Sequence, residues 1–231
     1  GHNPKDFYPL SDEEKLKFRK EYFADNYDKL IITNVNRNQP RKDLPNTIFG
    51  FIEAKQNWAK NGLERQPFLY LHCHPLDPMG HDLRAMLMQT ELIEGKDFDL
   101  IPEVFETNMA SVDELNKIYN ASDIFISTTL GEGWGLTITE AMATKTPIIA
   151  PYTTSIKEIL GEGSRGYLLT TIVPFCSNND NIIREQTDFW EVGEKIIEVA
   201  NDITHKKKSL TLKVDEAYNW VNSITWKDVC K

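Results

Sequence analysis

Two observations predict an α/β fold with a doubly wound parallel sheet and helices on both of its faces. Short apolar runs alternate with amphipathic stretches of helical length along most of the chain, as in sheets whose parallel strands are joined by crossover helices. One apolar run, residues 123–127, leads into the loop GEGWG at 131–135 and then into a helical pattern. Glycines let a backbone approach a ligand closely, and a helix N-terminus attracts anions, so this order is typical of a phosphate site.

The other elements follow from local patterns along the chain. The sequence SDEE at 11–14 is typical of a capped helix start and predicts a helix to about residue 24. The β-branched run LIITNV at 30–35 predicts a strand buried on both faces. The remaining predicted elements are helices at 46–59, 82–92, 112–120, about 137–143, 155–160, 189–203 and 210–221, strands at 68–72, 98–101, 123–127, 147–150 and 166–169, and a polar loop at 173–187.

Composition and charge exclude several classes of protein. The chain has 231 residues, 40% of them hydrophobic, and carries a formal charge of −9, which disfavours nucleic acid and anionic membranes as partners. No apolar run approaches the roughly 20 residues of a membrane span. The three cysteines, Cys73, Cys176 and Cys230, fit neither a disulfide framework nor a zinc pattern, and this favours a reducing, cytoplasmic location. We interpret Gly1 and His2 as a cloning remnant.

Two cations follow the first predicted strand. Arg37 and Lys42 lie five positions apart just after residues 30–35, and loops at the carboxyl ends of parallel strands form the ligand crevice of such sheets. A guanidinium and an ammonium there could hold a diphosphate. Their spacing alone does not distinguish this role from that of two exposed loop cations.

Two carboxylates bracket the glycine loop. Glu132 lies within it and Glu140 lies on the following helix, eight positions later. Carboxylates accept hydrogen bonds from sugar hydroxyls. Taken singly, Glu132 also fits a solvated loop charge, and Glu140 fits an acidic residue favoured by the helix dipole.

The string EGWGLTITEAMA at 132–143, together with the Arg37 and Lys42 pair, closely resembles the signature of retaining glycosyltransferases of the GT-B fold, family 4 type. The resemblance implies a Rossmann-like domain, one half of a GT-B fold, which binds a nucleotide-diphosphate sugar. Three departures stand out: Asn36 and Lys145 replace glycines that the family often has, and Trp134 replaces a more usual phenylalanine.

The resemblance also implies roles for individual residues. Arg37 and Lys42 would stabilise the departing diphosphate, and Glu132 would face the donor sugar; these three are the predicted catalytic residues. Glu140 would bind the ribose hydroxyls. The predicted nucleotide-sugar contacts comprise Arg37, Lys42, Gly133, Trp134, Gly135, Leu136, Thr137 and Glu140, with Thr139 as a further hydroxyl. The resemblance implies neither a metal ion nor a cofactor.

For the organisation of the chain, we predict a leader and helix over residues 1–27 and a nucleotide-sugar-binding domain over residues 28–231. We expect the acceptor-binding N-terminal domain to be absent from this chain, so that the isolated domain is inactive alone. The predicted enzyme is a retaining hexosyltransferase whose acceptor is a glycan, a lipid or a protein. Association with a membrane, if any, would be peripheral and through the missing domain.

Other interpretations remain open at this point. The chain could be a non-catalytic nucleotide-sugar-binding module, or have another GT-B activity such as a nucleotide-sugar epimerase. Asp97 and Asp99 form a D-x-D that we interpret as chance, because it opens a strand. His72 and His74 fit the polar end of a strand better than a metal site. The loop 102–111 looks longer than in the family, so its base contacts cannot be assigned.

Overall fold

The computed structural model of the chain describes residues 3–101, 110–176, 182–224 and 226. Its strands are β1 (Leu30–Val35), β2 (Pro67–His72), β3 (Phe98–Leu100), β4 (Ile124–Ile126), β5 (Ile148–Pro151), β6 (Tyr167–Leu169), β7 (Thr171–Cys176) and β8 (Ile183–Thr187). Its α-helices are α1 (Asp12–Phe23), α2 (Leu44–Asn57), α3 (Leu83–Leu87), α4 (Val112–Ala121), α5 (Leu136–Ala143), α6 (Ile156–Ile159), α7 (Phe189–Thr204) and α8 (Lys208–Ser223).

Six strands form one parallel sheet in the order β3-β2-β1-β4-β5-β6. This confirms the predicted doubly wound parallel sheet. The chain lays down β1, β2 and β3 in one direction and then returns to β4 on the other side of β1. The point where the order reverses, between β1 and β4, is where open α/β sheets bind their ligands.

Both faces of the sheet are covered. All six residues of β1 are buried, as expected of a strand that contacts helices on either side. Because side chains alternate between faces along a strand, Leu30 and Ile32 join a core with α2 and α7. Ile31 and Val35 join a second core, with residues of α1, α4, α5 and α8, on the opposite face.

The predicted polar loop over 173–187 is wrong. β7 and β8 pair there as an antiparallel hairpin that follows β6 and leads into α7. Apolar side chains on it stay in solvent, with Ile172 64% and Ile183 75% exposed. The hairpin therefore buries little apolar surface, and its sequence lacks the apolar run that predicts a core strand. Pairing between its two strands holds it together.

The predicted helix over 82–92 is too long. Asp82 caps its start by accepting a hydrogen bond from the amide of Ala85 (2.9 Å), but α3 ends at Leu87. The hydroxyl of Thr90 donates to the carbonyl of Leu87 (2.7 Å), and a side chain that satisfies a terminal carbonyl competes with continuation of the helix.

Residues 3–30 pack on the same body as the rest of the described chain. Amides of Tyr8 and Leu10 donate to the side-chain oxygens of Asn116 (3.1 Å) and Asn120 (2.8 Å) on α4, and Phe23 is buried. The division between residues 27 and 28 stays a prediction. In the part of the chain that the structure describes, no helix is long and apolar enough to cross a membrane.

Candidate functional site

A tight turn after β1 sets the direction of two neighbouring cations. Pro40 begins a 3₁₀ turn, Pro40–Lys42, closed by hydrogen bonds from Lys42 to Gln39 (2.8 Å) and from Asp43 to Pro40 (3.1 Å). Proline favours this start because its φ is already helical. The turn brings Arg41 and Lys42 to the glycine loop that follows β4.

Lys42, Arg41 and Glu132 form an ion cluster across the switch point of the sheet. Lys42 Nζ lies 2.6 Å from Glu132 Oε1, and Arg41 Nη1 lies 3.0 Å from Oε2. Arg41 also donates to the carbonyl of Gly131 (2.6 Å). The side chains of Lys42 and Glu132 are only 12% and 10% exposed, so they interact more strongly than a surface pair would.

The side chains of this cluster stabilise each other in their charged forms. Burial alone would raise the pKa of Glu132, but Lys42 and Arg41 outweigh it and hold that pKa below its usual value. Burial lowers the pKa of Lys42, and Glu132 opposes this shift. The cluster is therefore two cations around one carboxylate, a net positive site in a chain of strongly negative charge.

The glycine loop shapes the start of α5. Gly135 caps the helix with φ 88° and ψ 56°, a left-handed conformation that favours glycine. Thr154 accepts a hydrogen bond from the amide of Glu132 (2.9 Å), and Ser155 donates to the carbonyls of Glu132 and Trp134 (3.0 and 3.2 Å). These contacts fix the loop from the segment that follows β5.

The amides at the start of α5 are available to a ligand. Within the described residues, none accepts a hydrogen bond from the amides of Gly133, Gly135, Leu136 or Thr137. Unpaired amides at a helix N-terminus, reinforced by the helix dipole, form an anion site. The positive cluster and these amides are joined through Glu132 and the loop.

Glu140 lies farther along α5, and its carboxylate is oriented by a tyrosine. Its Oε2 accepts a hydrogen bond from the hydroxyl of Tyr119 on α4 (2.7 Å). Burial raises the pKa of Glu140, and the Tyr119 hydroxyl partly opposes that rise.

Three predicted residues are placed differently from this group. Arg37 is 63% exposed and pairs with Asp77 (2.8 Å), and no ion pair joins it to Glu132 among the described residues. The Trp134 ring stacks on Trp220 of α8, with centroids 6.4 Å apart and planes at 15°. The Thr139 hydroxyl donates to the carbonyl of Leu136 (2.9 Å), one helical turn back.

The Trp220 ring also contacts a cation. The guanidinium carbon of Arg165 lies 4.3 Å from the centroid of that ring, a cation–π distance. We name the three side chains Trp134, Trp220 and Arg165 the tryptophan stack. It attaches the glycine loop to α8.

Sequence reasoning assigned no role to Arg41 or Tyr119. Arg41 lies next to Lys42 in the same basic stretch, and that adjacency was the available signal. Tyr119 had none, because it is 21 positions from Glu140 and contacts it only in the folded chain.

The remaining candidates have structural partners. Burial lowers the pKa of His72 to about 4, and its Nδ1 bonds to the Tyr70 hydroxyl (2.8 Å). Asp97 pairs with Lys55 (2.9 Å). The described residues hold no group of three or more His, Cys, Asp or Glu side chains arranged to bind a metal ion. Most of the loop 102–111, namely 102–109, lies outside the described residues.

Comparison with known proteins shows that this chain is similar to glycosyltransferases in sequence and fold. Residues 89–176 match the family model of the glycosyl transferases group 1. A trehalose synthase from Thermococcus litoralis is 30% identical over 165 residues, which are 71% of this chain and 37% of that protein. The chain thus spans little more than a third of that relative's length.

Two solved structures share the fold. Anabaena HepE, in complex with UDP and glucose, superposes with a TM-score of 0.66 at 14% identity, covering 96% of this chain and 51% of that one. The C-terminal domain of a group 1 family glycosyl transferase, LpcC from Francisella tularensis, superposes with a TM-score of 0.61 at 20% identity, covering 96% of this chain and 97% of that one. These likenesses confirm the Rossmann-like α/β fold.

Proposed function

We propose that this chain is the donor-binding domain of a retaining glycosyltransferase, because residues 89–176 match the family model of the glycosyl transferases group 1. It would bind a nucleotide-diphosphate sugar and, with a second domain, transfer the sugar to an acceptor hydroxyl. The observation that carries the proposal is the cluster of Arg41, Lys42 and Glu132 beside the unpaired amides of α5, at the switch point of the sheet.

Positively charged groups on both sides of the crevice support a diphosphate site there. Lys42 and Arg37 lie on the loop after β1, and the amides of Gly133, Gly135 and Leu136 lie across from it on the loop after β4. Phosphate oxygens would accept from both sides. HepE, which shares the fold, binds UDP and glucose, and this supports a uridine nucleotide as the first ligand to try.

The chemistry would be a displacement with retained configuration. The acceptor hydroxyl attacks the anomeric carbon on the face from which the diphosphate departs. The bond between that carbon and the diphosphate oxygen breaks, and the diphosphate takes the acceptor's proton. Arg37 and Lys42 offset the negative charge that grows on the leaving group, and Glu132 orients the sugar through its hydroxyls. No metal ion enters this scheme.

The acceptor-binding domain and a cytoplasmic location are part of the proposal. Enzymes of this type bind the acceptor on a second domain that faces the donor site across a cleft. We therefore propose that turnover requires that domain, and that this chain alone binds the donor without transferring its sugar.

Titration calorimetry with UDP, GDP, ADP and their sugar conjugates tests the donor site. We expect one nucleotide to bind without added metal. Lys42→Ala should weaken its affinity by roughly tenfold to a hundredfold, the effect of a lost charge-assisted hydrogen bond. Arg37→Ala and Glu140→Ala should also weaken it.

Lys60→Ala is the matched control, because Lys60 is an exposed lysine on the 3₁₀ turn after α2. Its affinity should equal that of the wild type. A folded wild-type chain that binds none of these nucleotides would contradict a donor site within this domain.

A further inference from the structure

We propose that Tyr119 is a positioning residue for nucleotide binding, which aims the carboxylate of Glu140 at the ligand through its hydroxyl. This inference rests on the proposed function, since it gives Glu140 a nucleotide to bind. It assigns the role to a residue that contacts no ligand itself.

The contact is short and enclosed. The Tyr119 hydroxyl donates to Glu140 Oε2 at 2.7 Å, and the Tyr119 side chain is fully buried. Its ring is fixed by edge and tilted contacts with Phe7 and Phe125, each with centroids 5.8 Å apart. A ring held in this way presents its hydroxyl in one direction only.

The geometry divides the two oxygens of Glu140 between the protein and the ligand. Oε2 is bound by Tyr119, and within the described residues no hydrogen bond reaches Oε1. A carboxylate with one oxygen held from behind cannot rotate freely. Its other oxygen is then available to accept from a ligand hydroxyl, without the entropy cost of ordering the side chain on binding.

The hydroxyl also favours the charged form of the carboxylate. Burial raises the pKa of Glu140, and the bond from Tyr119 is the interaction that opposes the rise. The nearby charges of Lys145 and Asp215, where α5 meets α8, are engaged with each other (2.8 Å). Among the described residues, Tyr119 is therefore the titratable neighbour that shifts the pKa of Glu140.

Tyr119→Phe tests the proposal, because it removes the hydroxyl and keeps the ring. We expect two effects on the nucleotide identified by calorimetry. Its affinity at neutral pH should fall about tenfold, the effect of losing one hydrogen bond to a charged group. The decline of affinity on acidification should also begin at a higher pH than in the wild type, because the pKa of Glu140 rises without its donor.

Two controls separate positioning from packing. Tyr22→Phe removes another partly buried tyrosine hydroxyl, on α1, which bonds to the hydroxyl of Tyr70 on β2 (2.5 Å). It should change neither affinity nor pH profile. In a Glu140→Gln background, Tyr119→Phe should change affinity much less than it does in the wild type.

The outcomes distinguish this inference from the proposed function. If the wild type binds a nucleotide and Tyr119→Phe binds it with the same affinity and pH profile, the positioning role is overturned and the donor site stands. If the folded wild type binds no nucleotide, both are overturned. Carboxyl NMR gives a ligand-free readout: an unchanged pKa of Glu140 in Tyr119→Phe would also overturn the inference.

Discussion

Lys42 and Glu132 form an ion pair of 2.6 Å that joins the loop after β1 to the loop after β4, although 90 positions separate them in the sequence. These two loops border the switch point of the sheet. The pair therefore joins the two sides of the crevice. If the proposed donor binds there, its diphosphate would compete with the Glu132 carboxylate for Lys42 and Arg41.

The first prediction concerns Glu132→Gln. Removing the charge leaves Lys42 and Arg41 close together without their anion, and we expect the free energy of unfolding to fall by about 1–3 kcal/mol. The pKa of Glu132 is held below its usual 4.5. Its contribution to stability is thus present above pH 4.5 and lost as the pH falls through the folded-state pKa.

Urea unfolding of both proteins between pH 3 and 7 measures this difference. The gap between wild type and variant should be widest near pH 7 and should close in acid. A gap that does not depend on pH would contradict the charge-based explanation.

The second prediction concerns Asp43, a buried carboxylate at the start of α2. Burial raises the pKa of Asp43 from 3.8 to about 7, although the Gln186 amide donates to its Oδ2 (2.8 Å). Because the folded pKa is raised, stability from this group is fully present below about pH 4 and is lost as the pH rises through about 7.

Asp43→Asn removes this dependence. Relative to wild type, the variant should gain stability between pH 4 and 7, about 4 kcal/mol in total. Urea unfolding across that range measures the gain, and equal slopes for the two proteins would show that Asp43 does not titrate there.

The third prediction compares two glycines of the same loop. Gly135 has φ 88°, and an added Cβ would also lie 3.4 Å from Ile138 Cδ1. Gly135→Ala should therefore lower the free energy of unfolding by about 1–3 kcal/mol. Gly133 has an ordinary φ and open space around it, so Gly133→Ala should leave stability almost unchanged. Thermal unfolding of the two variants checks this, and equal losses would argue against backbone strain.

The fourth prediction concerns Asp123, which holds the first helix to the sheet. Its Oδ2 accepts from Arg19 (3.1 Å), from Arg65 (2.7 Å) and from the amide of Ile31 (2.7 Å). Asp123→Asn leaves two guanidinium groups without their anion, and we expect a loss of about 2–4 kcal/mol.

Asp113→Asn is its control. That residue forms an exposed pair with Lys117 on α4, and the loss should stay within about 0.5 kcal/mol. Hydrogen exchange would show whether α1 opens first in Asp123→Asn. Uniform protection across α1 and the sheet would contradict a role in anchoring that helix.

Local patterns predicted the sheet well. Residues 30–35 and the loop 131–135 were identifiable because β-branched runs and glycine spacing depend on near neighbours. The hairpin was not identifiable, because Ile172 and Ile183 are apolar without being buried, and its pairing depends on the two arms meeting. The helix α3 ends at Leu87, whose carbonyl accepts a hydrogen bond from the Thr90 hydroxyl.

Some residues of the candidate site could likewise be predicted from the sequence, and others could not. The family resemblance selected Glu132 and Lys42 as site residues, and the structure brings their side chains together. Arg41 acquires its partner only through the 3₁₀ turn at Pro40, and Tyr119 only through the packing of α4 on α5. Contacts between distant segments depend on tertiary structure, which spacing along the chain does not encode.

The tryptophan stack is an intrinsic fluorescence probe for the position of the glycine loop. Indole emission responds to neighbouring rings and charges. Here the ring of Trp134, on the glycine loop, stacks on Trp220, which also contacts Arg165. A movement of the glycine loop relative to α8 would change the distance between the two indole rings. The intrinsic fluorescence of the unlabelled chain would therefore follow loop movement in real time.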